Sequence, residues 1–154
     1  MKPLAGVIGL TILILFAVVQ PSSCETTAPE AHARTLFTRF VEISHAFDPA
    51  VADFYADEAR IVSVRKYPHG AERTLQMPGV EYKVLLRSAM PLAKARGDTN
   101  TYADISYQRR GARVWIRATR YSALKHYSSP YSLLVGPDAS GTWLIYEERS
   151  VTRP

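Results

Sequence analysis

Apolar residues between Glu30 and Phe47 recur at helical spacing. Leu36, Phe37, Phe40, Val41, Ile43 and Phe47 follow i, i+3, i+4 and i+7, which predicts an amphipathic helix with an aromatic-rich face. Asp48-Pro49 ends it and opens another: Asp48 suits an N-cap, and Pro49 suits the first helical position, where its missing N–H costs nothing. Val51, Phe54 and Tyr55 give this second, shorter helix one apolar face. Ala56-Asp57-Glu58 breaks the phase, and Arg60-Ile61-Val62-Ser63-Val64 reads as a β-branched strand. Lys66 to Arg73 carries the Pro and Gly of a hairpin turn, with Thr74 to Met77 returning. Pro78-Gly79 then precedes a third helix over Val80–Ala95. Val84, Leu85, Ser88 and Leu92 are expected to form its face, and Pro91 to kink it or end its first part.

From there the period changes to two. Thr99–Arg109 alternates and turns at Arg110-Gly111, and Ala112–Lys125 is the longest strand. Ser129-Pro130 separates it from Tyr131–Val135, the run from Gly136 to Gly141 is a turn, and Thr142–Val151 closes the chain. Two helices, a hairpin, a third helix and four strands make an α+β order. There is no internal repeat.

The first residues are of another kind. Met1 to Val19 holds one lysine and an uncharged apolar run from Leu4, the pattern of a secretory signal over residues 1–23 or of an uncleaved anchor. Cys24, the single cysteine, cannot staple the domain to itself. Ser22-Ser23-Cys24 resembles a bacterial lipoprotein processing site, although Pro21 stands where an aliphatic residue is usual. Cys24 is therefore read as lipidated, or else as an incidental thiol beside ordinary cleavage. Residues 24–30 form a polar tether and 31–154 the domain. The expectation is an exported protein on the periplasmic side of a bacterial membrane, attached through the Cys24 lipid or an uncleaved anchor, or released where cleavage is ordinary.

Net charge is +5 over 154 residues. Between Tyr107 and Tyr127 stand Arg109, Arg110, Arg113, Arg117, Arg120 and Lys125 with no acidic residue. Such a patch attracts anions. In an exported protein it reads first as a solvated strand face, and no nucleic-acid partner is expected.

The run Phe-Tyr-Ala-Asp-Glu-Ala-Arg-Ile at 54–61, with Gly-Thr-Trp-Leu-Ile at 141–145, resembles the nuclear transport factor 2-like superfamily. That superfamily includes ketosteroid isomerase-like and polyketide cyclase-like proteins. The resemblance covers about Glu30 to Val151. It implies a cone-shaped, curved antiparallel sheet wrapped around three N-terminal helices, a pocket at the open end and a homodimer through the outer sheet face. It implies no single function, because the fold hosts enzymes, binding modules and assembly domains alike.

Enzymes of that fold use an aspartate or a histidine, often with a tyrosine. Here nothing pairs His32, His45, His69 or His126 with a carboxylate, so no catalytic residue is assigned. Metal-ligand spacing is absent, and no cofactor or metal is expected. Asp53 and Asp57 are explained by helix surface and turn. The informative position is Arg120, in strand phase with Val114, Ile116 and Ala118 and so directed inward. A buried arginine needs a carboxylate partner. Glu147 and Glu148 are adjacent on the last strand, so one of them faces inward, and Asp104 is a further option. The candidate pocket thus comprises Arg120, Glu147, Glu148 and Asp104 with Tyr55, Tyr82, Tyr102 and Tyr121. The competing structural reading is a cross-sheet salt bridge that fixes register or a dimer interface. The leading functional expectation is an exported, tethered, non-catalytic domain that binds a small ligand or an envelope protein. The alternatives are an isomerase- or cyclase-type enzyme with a carboxylate base, and an assembly subunit of an envelope or secretion machine.

Overall fold

The computed structural model describes residues 27–153, so the readings of the apolar N-terminal run and of Cys24 lie outside the described residues. Helix α1 (Ala28–His45) buries Ala33, Leu36, Phe37 and Phe40, the stripe its spacing predicts. A 3₁₀ helix (Pro49–Phe54) follows, with the Asp48 side chain accepting the Ala50 N–H at 2.8 Å. Then come β1 (Tyr55–Lys66), β2 (Glu72–Pro78), α2 (Gly79–Arg96), β3 (Asn100–Arg110), β4 (Arg113–Ser122), β5 (Tyr127–Pro137) and β6 (Trp143–Thr152).

The six strands form one sheet in the order β2-β1-β6-β5-β4-β3. Two features of it correct the expected architecture. The sheet is mixed rather than antiparallel, because β1 runs parallel to β6. It is also open, with β2 and β3 as free edges, and does not close into a cone. Nor are three helices N-terminal: α1 is the one N-terminal α-helix, and α2 follows the β1–β2 hairpin. The physical reason lies in non-local pairing. β1 pairs in parallel with the last strand, β6, and the segment from β2 through α2 to β5 connects the two.

Val114, Ile116, Leu133, Val135 and Ile145 on the inner sheet face meet the α1 stripe to form the core. The chain packs α2 against β1 through Gly79. A Cβ there would lie 2.1 Å from the Ala56 carbonyl oxygen, so only glycine permits this approach. Two further expectations change. Helix α2 runs through Pro91 to Arg96, and Val84, Leu85 and Leu92 face outward, while Tyr82, Leu86, Met90 and Ala93 face the sheet. Pro130 lies inside β5 rather than separating strands, at a point where pairing with β6 has already ended. Among the described residues no helix is long and apolar enough to cross a membrane.

Candidate functional site

Between α1, α2 and the inner sheet face lies a cavity of about 140 Å³. Its deepest polar group is the Glu148 carboxyl on β6, 5% exposed. β6 carries Glu148 and Ser150 inward, in register with Leu133 and Tyr131 of β5, while Glu147 and Arg149 fall on the outer face. The Tyr55 hydroxyl donates a hydrogen bond to Glu148 Oε2, and the Tyr82 hydroxyl reaches Oε1 at 3.5 Å. Tyr55 stands at the start of β1 because the 3₁₀ helix ends there, and Tyr82 comes from the first turns of α2. Their rings meet edge to face, 5.1 Å apart.

Arg120 on β4 and Tyr102 on β3 lie opposite one another two inward-facing layers from Glu148, and Tyr131 occupies the layer between. The Arg120 guanidinium donates to the Val151 carbonyl at 2.8 Å and to Ser129 Oγ at 3.4 Å, and lies 5.7 Å from the Tyr131 ring centre. The anticipated carboxylate partner is not what holds it. Among the described residues Arg120 makes no ion pair, and its buried Nε has no hydrogen-bond partner.

Burial dominates the electrostatics. It raises the Glu148 carboxyl above its ordinary value; the nearby hydroxyls of Tyr55 and Tyr131, then the Arg120 charge and Tyr82, pull it down without cancelling that effect. Burial, reinforced by the Glu148 charge, also holds the hydroxyls of Tyr55, Tyr82, Tyr102 and Tyr131 well above the usual phenol range. These tyrosines are therefore permanent donors at neutral pH. The group that changes state is the carboxyl.

Of the residues anticipated from sequence, Tyr55, Tyr82, Tyr102, Arg120 and Glu148 line this one cavity. The others lie elsewhere. Glu147 is on the outer face, bonded to Arg149. Asp104 has a φ of 52° at a break in the β3–β4 register and accepts from the Thr119 hydroxyl at 3.0 Å. Tyr121 is 39% exposed, its hydroxyl 3.4 Å from His126 Nδ1. Sequence reasoning did not place Phe40, Met90, Asp98 and Tyr131 in the wall. For Tyr131 a signal existed: it shares strand phase with Leu133 and Val135. Among the described residues no three His, Cys, Asp or Glu side chains gather to hold a metal ion.

No protein-family model matches the chain, and no curated protein matches it. Solved structures do. A nuclear transport factor 2-like protein of unknown function from Pseudomonas putida superposes with a TM-score of 0.62 at 15% identity, over 80% of this chain and 86% of that one. A nuclear transport factor 2-like protein of unknown function from Shewanella oneidensis gives 0.60 at 16% identity, over 80% and 99%. A protein of Catenulispora acidiphila in complex with S-DNPA gives 0.51 at 10% identity, over 79% and 90%. At such identities the likeness carries the fold alone. The chain has the nuclear transport factor 2-like, cystatin-like fold.

Proposed function

We propose that the chain binds a small ligand in the cavity above Glu148. One observation carries this reading: a buried carboxyl, held by tyrosine hydroxyls and paired with no cation, at the foot of an apolar-walled cavity. A stabilising role alone favours a closed ion pair or an apolar residue at such a position. Small-molecule sites combine apolar walls with a few convergent polar groups, as Phe40, Leu86 and Met90 do here around Glu148 and Arg120. The S-DNPA complex of the Catenulispora acidiphila protein supports the reading by analogy of fold. Native mass spectrometry of the protein purified from its own envelope tests it. A retained small molecule, lost in Glu148→Gln, is expected; a bare chain under conditions that preserve other complexes would sink the proposal.

A catalytic reading is favoured by one specific feature, a cavity carboxyl that burial raises above its ordinary value, the direction a general base requires. It predicts that a bound carbonyl compound exchanges its α-protons with solvent, and that Glu148→Gln abolishes the exchange. The assembly reading needs a filled interior, and the open cavity weighs against it. We further propose an exported, tethered placement, supported by the apolar run from Leu4 to Val19 and by Cys24. Mass spectrometry of the mature N-terminus tests it, a diacylated Cys24 being the expected result and an unmodified residue downstream of it the contrary one.

A further inference from the structure

Glu148 and Arg120 face the same cavity, yet each is held by other groups. The Tyr55 and Tyr82 hydroxyls occupy the carboxyl, and the Val151 carbonyl and Ser129 occupy the terminal guanidinium nitrogen. Opposite charges in a low-dielectric interior attract strongly, and an ion pair would close if the side chains were free to meet. They are kept two inward-facing layers apart, Glu148 level with Leu133 and Arg120 level with Ser129, with Tyr131 between them. A carboxyl able to accept is left at the bottom, and the buried Arg120 Nε–H is left without an acceptor nearer the mouth. An unsatisfied buried donor is costly, and a ligand oxygen placed there recovers that cost.

Resting on the ligand-binding reading above, we infer that the ligand is a small carboxylic acid bearing a second, donor group. Its carboxylate meets Arg120, and its hydroxyl or ammonium reaches down to Glu148. Guanidinium is the side chain best matched to a carboxylate. The tyrosine hydroxyl on Glu148 Oε1 is long, at 3.5 Å, which leaves that oxygen open to a stronger donor. Size sets the rest. A volume of about 140 Å³ is close to the roughly 150 Å³ cavity that accepts benzene, so the ligand is a short-chain acid and not a sterol-sized one. Phe40, Leu86 and Met90 supply an apolar wall for the carbon chain between its two polar ends.

The test is calorimetric titration of the full chain with three probes of similar length: 4-hydroxybutyrate, butyrate and butan-1-ol. 4-Hydroxybutyrate should bind tightest, and each monofunctional probe roughly 10- to 100-fold more weakly, because each leaves one buried partner unmatched. In Arg120→Met the advantage over butan-1-ol should disappear, and in Glu148→Gln the advantage over butyrate should shrink. Circular dichroism checks that both variants fold, and the wild-type ranking decides the matter if either does not. Butan-1-ol binding as tightly as 4-hydroxybutyrate overturns the inferred class and leaves the ligand site standing. Failure of all three probes to bind, with a molecule retained in native mass spectrometry that lacks either the carboxylate or the second donor group, also overturns the class alone, whereas a retained amino or hydroxy acid upholds it. Failure of all three with nothing retained overturns both.

Discussion

On the outer face of the sheet Glu147 meets Arg149, whose guanidinium also lies 5.9 Å from the Trp115 ring centre. One residue along β6, on the inner face, Glu148 meets tyrosines and no cation. The same strand thus gives two carboxylates two different kinds of partner, a cation outside and neutral hydroxyls inside. Outside, the half-exposed Arg149 keeps one end of the pair in water, which weakens the bond, although the Glu147 side chain is only 15% exposed. Inside, ionisation is opposed by burial, and neutral donors stabilise the carboxylate where a counter-ion would have closed the cavity. The neighbours Leu133 and Leu134 repeat the contrast without charge: Leu133 is fully buried and Leu134 half-buried.

The largest effect should come from breaking the inner face. Leu133→Ala is expected to cost about 2–5 kcal/mol in denaturant unfolding. Leu134→Ala should cost about 1 kcal/mol or less, and equal losses would refute the assignment of faces. Next, Tyr55→Phe should cost about 1–3 kcal/mol, because it strips a donor from a buried carboxylate.

A third measurement sharpens the contrast through pH. The folded state raises the Glu148 carboxyl above the ordinary 4.5, so between the unfolded and folded values the native protein holds the proton more tightly. Stability from this group is therefore fully present below about 4.5 and is lost as pH rises through the folded value. Glu148→Gln should flatten that decline. A Glu148→Gln profile parallel to wild type would show that the inner carboxyl is not the group responsible. The smallest effect belongs to the outer pair: Arg149→Ala should cost no more than about 1 kcal/mol, and less at high salt, as followed by thermal melts in two ionic strengths.

Much of the local structure could be read along the chain. The α1 stripe, the Asp48-Pro49 cap and the alternation of β4 are written in short-range spacing, and Arg120 could be placed on the inner face by counting in twos from Val114. Helix α2 shows where this fails. Its apolar residues lie on both sides, Tyr82, Leu86 and Met90 inward and Val84, Leu85 and Leu92 outward, so spacing alone names a helix but not its buried face. Asp104 was misplaced because a register break on β3 resets the alternation.

The sequence by itself determined the elements, their order and the residue types available for a polar pocket, because caps, turns and periodicity act within a few residues. Only the tertiary structure decided which of Glu147 and Glu148 turns inward, that β1 joins β6 in parallel, and that Arg120 and Glu148 share a cavity without closing an ion pair. Those outcomes depend on strand register and on partners far apart in the chain. A shift of one residue on β6 would have exchanged the two glutamates.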